Sequence, residues 1–136
     1  MSSSYVNDNN NFLYNFTKII LNSYKSIRWV GITNHNGTII NERVRKGVKL
    51  LLTEEENNEF AKNSIIRHKA RLKFESKMGK LIYAFRRYEN MSRCIIPINE
   101  NYYIFFTMDF EESNFDEIMM KKIIPLIQKE KENFIN

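Results

Sequence analysis

A long helical segment from Thr53 to Lys77 constrains the fold of this chain more than any other feature. Thr53 and Glu56 have the spacing of a capping box, in which each side chain bonds to the other residue's backbone N–H group. No Gly or Pro interrupts the segment before Gly79. The segment is therefore predicted to form one helix in the middle of the chain.

The predicted helix carries two apolar stripes when its residues are placed at about 100° intervals. The larger stripe consists of Phe60, Ile66, Ala70, Phe74 and Met78, and the smaller one of Ala61, Ile65, His68 and Leu72. A helix that lies on one sheet needs only one apolar stripe. We therefore expect the larger stripe to pack on the sheet and the smaller one to contact a partner.

Apolar and aromatic runs separated by turn residues predict five strands around this helix. The strands are Ser26–Asn34, Thr38–Val44, Leu81–Tyr88, Met91–Ile98 and Tyr102–Asp109, with a helix before them to about Ser23 and a helix after them from Phe115. The pair Asn36-Gly37 is a hairpin signal because both residues tolerate positive φ. Pro125 is expected to kink or split the last helix, since it has no N–H to donate.

The element order is α-β-β-α-β-β-β-α, which predicts an α+β fold with a five-stranded antiparallel sheet in the order 2-1-5-4-3 and helices on both faces. Residues 1–11 are rich in Ser and Asn and are expected to form a disordered tail before a single domain at 12–136. The predicted core combines Trp29, Ile32, Phe105 and Met108 on central strands with Phe16, Ile20, Ile123 and Leu126 over one face and Phe60, Ile66 and Phe74 over the other.

Composition limits the chemistry that this chain can perform. Cys94 is the single cysteine and the chain has two histidines and four glycines, so no disulfide framework, metal site or phosphate-binding glycine loop is expected. No apolar run reaches the length of a membrane span. The sequence therefore predicts a cytoplasmic protein that needs no cofactor, and it contains no recognisable catalytic motif.

Positive charge is concentrated in the middle of the chain. Residues 43–93 contain 14 Lys and Arg against 6 Asp and Glu, a balance of +8, whereas residues 94–136 contain 4 against 8, a balance of −4. The candidate basic surface consists of Arg67, Lys69, Arg71, Lys73, Arg86 and Arg87. Because Arg67 and Arg71 share one helix side and Lys69 and Lys73 another, nucleic-acid binding is a less favoured alternative.

The pattern resembles that of roadblock/dynein-light-chain domains, particularly small archaeal relatives. The resemblance lies in the strand-turn-strand IRWVGITNHNGTII, the capped helix Thr53–Lys77, and the meander LIYAFRR, CIIPI and YYIFFTMD before a C-terminal helix. It covers roughly residues 12–134. Sensory domains of the PAS and GAF kinds share the sheet order, but they usually have several short helices where this chain has one long helix.

The resemblance implies a non-enzymatic regulatory module. Roadblock domains dimerise through the central helix and the third strand, and the dimers act as platforms for small GTPases and motor complexes. Carried over to this sequence, the dimer contact would consist of Ala61, Ile65, His68, Leu72, Tyr83 and Phe85. The expected partners are a second copy of the chain and a small GTPase or other regulatory protein, with a small-molecule sensory domain as the alternative.

Overall fold

A computed structural model describes the backbone of residues 3–135 and the side chains of residues 9–135. The helices are α1 Ser3–Ser23, α2 Glu54–Ala70, α3 Glu75–Met78, α4 Phe115–Ile118 and α5 Ile124–Glu130, and the strands are β1 Ile27–Asn34, β2 Ile39–Val44, β3 Ala84–Arg87, β4 Met91–Pro97 and β5 Tyr102–Asp109. Short 3₁₀ turns follow α2 at Leu72–Phe74 and α5 at Lys131–Asn133. No helix within residues 3–135 is long and apolar enough to cross a bilayer.

The five strands form one antiparallel sheet in the order β2-β1-β5-β4-β3, which confirms the predicted topology. The register places Phe105 of β5 between Gly31 of β1 and Ile95 of β4. The first hairpin turns where predicted, because the Asn34 side chain accepts from the N–H groups of Asn36 and Thr38, and Gly37 has φ of 85°. Local hairpins thus account for most of the sheet.

Both faces of the sheet are covered. On one face, α1, α4 and α5 bury a large apolar core that includes Phe16, Ile20, Ile32, Met108, Ile118 and Ile123. On the other face, α2 covers a smaller cluster formed by Trp29, Ala61, Ile65, Ile95, Tyr103 and Phe105. The four predicted core residues on the central strands are all buried, as are Phe16, Ile20 and Ile123, whereas Leu126 is only partly buried.

The first helix begins earlier than its composition indicates. It starts at Ser3, so residues 3–11 belong to α1 and not to the expected disordered tail, while Met1 and Ser2 lie outside the described residues. Leu13 and Phe16 anchor the second half of α1 in the core. Once such a helix is nucleated, each further residue adds a hydrogen bond, which allows extension through a segment of weak propensity.

The third strand is shorter than the predicted Leu81–Tyr88. It pairs with β4 from Ala84 opposite Ile95 to Arg87 opposite Ser92. Continuing the same register would bring residue 82 opposite Pro97, which has no N–H group to donate. Residues 80–83 therefore lie outside the ladder.

Pro125 splits the last helix as expected. A π-helical turn, Met119–Ile123, separates α4 from α5, and Pro125 is the second residue of α5. Because Pro125 cannot donate to the carbonyl four residues earlier, the hydrogen-bonding pattern changes just before it.

Candidate interaction surface and groove

The helix α2 faces the sheet with the smaller of its two apolar stripes, which reverses the prediction. Ala61 and Ile65 are 0% and 2% exposed and pack in the cluster around Trp29 and Phe105, so neither can form a dimer contact. Ile66 is instead 64% exposed. Large rings rising from the sheet leave room only for small and medium side chains on the helix, which explains the choice of stripe.

The larger stripe therefore remains outside. Phe74 and Met78 are exposed in the 3₁₀ turn and α3 that follow α2, and the prediction that Ile66 and Phe74 belong to the core was wrong. Phe60 is half-buried at the side of the helix, where its ring meets Tyr88 with centroids 6.3 Å apart. The chain from Ile66 to Ile82 consequently presents six exposed large apolar side chains, which are Ile66, Leu72, Phe74, Met78, Leu81 and Ile82.

The other predicted dimer residues are divided between several environments. His68 is half-buried with its ring edge-on to Tyr103 at 5.6 Å, and burial lowers its pKa. Leu72 is exposed. Tyr83 and Phe85 are half-buried against Phe115 of α4, with 3.4 Å between the ring centroids of Phe85 and Phe115. The side chains of Tyr83 and Phe85 therefore pack against the core. The part of β3 that remains open to a partner is its backbone edge.

The two edges of the sheet differ in protection. At the β2 edge, Arg43 stacks over the Tyr14 ring of α1 at 4.1 Å, and Arg45 donates to the Tyr24 carbonyl at 3.0 Å. Within the described chain, β3 pairs with no strand other than β4, and three of its four residues are exposed. An unpaired strand edge is a site where a further strand can add.

Beside this edge, the side of α2 that faces β3 carries both signs of charge. We call this surface the β3 flank, and it consists of Glu56, Glu59, Phe60, Asn63 and Arg67. Together with Arg86 and Tyr88 it lines a depression of about 310 Å³. The acidic residues precede Asn63 and the basic residue follows it, so charge is separated along the helix.

A second, larger depression of about 440 Å³ continues along the same side toward the C-terminal end of α2, and we call it the basic groove. Its apolar wall includes Phe60, Leu72, Phe74, Leu81, Ile82 and Phe105. Its cationic groups are Arg67, Arg71, Lys80, Arg86 and Arg93, and Glu75 is the single carboxylate among its lining residues. The groove is therefore both apolar and strongly positive.

Arg93 is the most unusual member of the groove, because it is a charged residue that is only 5% exposed. Its guanidinium carbon lies 4.5 Å from the ring centroid of Phe60, 5.2 Å from that of Trp29 and 5.9 Å from that of Phe105. Burial lowers its pKa to about 10. Arg93 lies two residues before Ile95 on β4, so both side chains are on the sheet face that α2 covers. The sequence contains this spacing, but the charge count alone did not reveal it.

The predicted basic surface does not form one patch. Arg67, Arg71 and Arg86 line the basic groove. Lys69 and Lys73 do not line it, and Arg87 donates to the carbonyls of Phe110 and Glu112 in the loop after β5. A phosphate backbone would require these charges on one continuous face.

The described residues offer no built metal or nucleophile site. No three His, Cys, Asp or Glu side chains within them come together in a way that could hold a metal ion. Cys94 is buried, and burial raises its pKa well above the usual value, which disfavours the reactive thiolate.

The fold is that of the roadblock/LC7 domains. The gliding protein MglB from Thermus thermophilus superposes with a TM-score of 0.66 at 9% identity, over 98% of this chain and 90% of that protein. A structure of MglB with tetrameric arrangement gives 0.71 at 8% identity, over 92% and 89% of the two chains. A roadblock/LC7 domain from Streptomyces avermitilis gives 0.68 at 6% identity, over 91% and 98%.

This likeness confirms the fold that the sequence pattern predicted. No model of a protein family matches the sequence, and no curated protein matches it. At these identities the structural likeness establishes the fold alone.

Proposed function

We propose that this chain is a homodimerising protein-interaction module that pairs through the β3 edge and the β3 flank of α2. The observation that supports the proposal most directly is the charge order on the β3 flank, which is complementary to itself when two copies of the helix run antiparallel. A two-fold contact uses the same patch on both copies, so such self-complementarity is what it requires.

The geometry of two antiparallel α2 helices makes the pairing specific. If Asn63 lies near the two-fold axis, Glu59 and Arg67 lie four residues to either side, about 6 Å along the helix. Glu59 of one copy then faces Arg67 of the other. Small and medium residues near the axis, such as Asn63 and Ser64, allow the helices to approach to about 8–10 Å.

The strand edge supports the same arrangement. Two copies of β3 placed side by side would exchange backbone hydrogen bonds and join the two sheets into one. This pairing covers the exposed edge that each isolated copy presents. The short length of β3, four residues, limits the strand contact, so the helix contact must supply much of the stability.

The test is the mass in solution of the full chain and of charge variants, measured by sedimentation. The wild-type protein is expected to be a dimer at about 10–50 μM, a range typical of specific self-association. Arg67→Glu places two carboxylates opposite each other and should dissociate the dimer. The double variant Glu59→Arg with Arg67→Glu exchanges the two charges and should restore it.

Lys69→Glu is the matched control, because it makes the same charge change on the same helix at an exposed position outside the β3 flank. It should leave the dimer intact. A wild-type protein that stays monomeric over this range, or a double variant that is no more dimeric than Arg67→Glu, would contradict the proposed dimer.

We further infer that a small GTPase is the partner class of the dimer. Support comes from the resemblance of the sequence pattern to roadblock domains and from the shared fold. Purified small GTPases from the same source, loaded with GDP or with a non-hydrolysable GTP analogue, can be titrated against the dimer by calorimetry. Binding that depends on the nucleotide supports this partner, and the absence of heat with every GTPase in both states contradicts it.

A further inference from the structure

We propose that the basic groove is a binding site for an anionic amphiphile, a small molecule with one anionic head group on an apolar body. This inference goes beyond the proposed dimer, since it concerns a ligand and follows from the shape and charge of a single copy.

The volume and lining of the groove fit such a ligand. About 440 Å³ lies within the range of small-molecule sites, which are mostly apolar with a few polar groups that fix orientation. Phe60, Leu72, Leu81 and Ile82 provide the apolar contacts. The groove lies between the sheet and the helical segment that follows α2.

The imbalance of charge in the groove favours an anionic head group. Five cationic side chains and one carboxylate line the groove. Within the described residues, the only side-chain ion pairs are Arg28 with Asp109 and Lys121 with Glu117, so no arginine of the groove is in an ion pair. Clustered cations in a partly apolar setting repel one another, and an anion among them removes this cost.

Arg93 favours an anionic ligand more strongly than any other residue of the groove, because two of its donor atoms lack partners in the described part of the chain. Its Nε and Nη2 atoms are buried and have no hydrogen-bond partner among the described residues. These two atoms carry three N–H donors. A cleft of about 20 Å³ that Arg93 shares with Asn57 has room for one water, and a water accepts at most two hydrogen bonds. The guanidinium of Arg93, a residue that lines both this cleft and the groove, is thus left with unmet donor capacity.

The experiment uses two fluorescent probes with the same apolar body. 1-Anilinonaphthalene-8-sulfonate carries an anionic sulfonate, and N-phenyl-1-naphthylamine lacks it. We expect the full chain to bind the sulfonate probe at least about tenfold more tightly, since a hydrogen bond to a charged group has about that effect. Equal affinity for the two probes would overturn the proposal.

Two variants locate the binding. Arg93→Met and Arg71→Gln should each weaken the sulfonate probe about tenfold and leave the neutral probe unchanged. Arg43→Gln is the matched control, because Arg43 also stacks on an aromatic ring but lies at the opposite edge of the sheet. An unchanged affinity in both groove variants, or an equal loss in the control, would contradict the assignment.

The variants are expected to fold. Replacing a buried charge by an apolar side chain of similar size is often neutral or stabilising, so Arg93→Met should melt at or above the wild-type temperature. Arg71 is exposed, so Arg71→Gln should not affect folding. It therefore tests the sulfonate-probe affinity independently if Arg93→Met proves unstable. Because the groove and the β3 flank share Phe60 and Arg67, titrations are made at concentrations where sedimentation shows one species.

Laurate and monododecyl phosphate then distinguish a carboxylate from a phosphate head group by displacing the sulfonate probe. Displacement by either one supports the proposal and identifies the preferred head. Displacement by neither, or equal displacement by the cationic dodecyltrimethylammonium ion, would overturn it.

Discussion

Individual side chains on the α2 face of the sheet decide how closely the helix can approach. A Cβ atom at Gly31 would lie 2.5 Å from the Cη2 atom of Trp29, so the indole occupies the space that any larger residue would need. The indole N–H donates to the Glu42 carboxylate at 3.0 Å. The indole of Trp29 therefore lies over Gly31 of β1, in the same buried cluster as Ala61 of α2.

Phe105 lies at the centre of that cluster and is 1% exposed. Phe105→Ala should lower the free energy of unfolding by about 3–5 kcal/mol, because it loses transfer free energy and leaves a cavity. Chemical denaturation measures this change. Phe74→Ala is the control at an exposed site and should cost less than about 1 kcal/mol. A cost for Phe105→Ala as small as that of the control would show that β5 is not central.

Cys94 couples stability to alkaline pH. Burial raises its pKa in the folded protein, whereas an unfolded thiol ionises near pH 8.5. Above that pH the unfolded state binds fewer protons than the folded state, so stability should fall as pH rises from about 8.5 to 10. Cys94→Ala should have a shallower decline in this window. Identical slopes for both proteins would contradict the burial of the thiol.

At the level of secondary structure, α2 shows where sequence reasoning succeeded and where it failed. Its start at Glu54 and the capping box at Thr53 were predicted correctly, because capping depends on residues within one turn. Its orientation was predicted incorrectly, because both stripes have helical spacing and their sizes alone do not say which faces inward. That choice depends on Trp29, Tyr103 and Phe105, which belong to distant strands.

The cap itself can be tested. The Thr53 hydroxyl accepts from the Glu56 N–H at 3.1 Å, and the Glu56 carboxylate accepts from the Thr53 N–H at 2.9 Å. Thr53→Ala should destabilise the protein by about 1 kcal/mol in thermal or chemical unfolding. Thr53→Ser keeps the accepting oxygen and should lose much less. Equal losses in the two variants would indicate that the hydroxyl does not stabilise α2.

At the scale of the whole molecule, the sheet order could be predicted because hairpins and one crossover leave few alternatives. The basic groove could not, since it forms where α2 ends at Ala70 and the chain turns through Phe74 and Gly79 before β3. The net charge of +5 also gave no indication that Arg93 is buried while Arg71 is exposed.

Salt should weaken the proposed dimer. The net charge of +5 on each copy repels the other copy, and salt reduces that repulsion. The centres of two such domains lie about 28 Å apart, however, and the Debye length is already about 10 Å at 0.1 M. The paired residues of the β3 flank would be within about 4 Å of each other, so further salt acts mainly on them.

We therefore expect the dissociation constant to rise about three- to tenfold between 0.1 and 0.5 M NaCl, since each exposed ion pair contributes about 0.5 kcal/mol and is partly screened. Sedimentation at several salt concentrations measures this change. Glu59→Gln combined with Arg67→Gln removes the central pairs and should give a weaker dimer with a flatter salt dependence. A wild-type dimer that tightens with salt would mean that apolar residues such as Leu72 and Ile82 hold the copies together and that the charges of the β3 flank do not face each other.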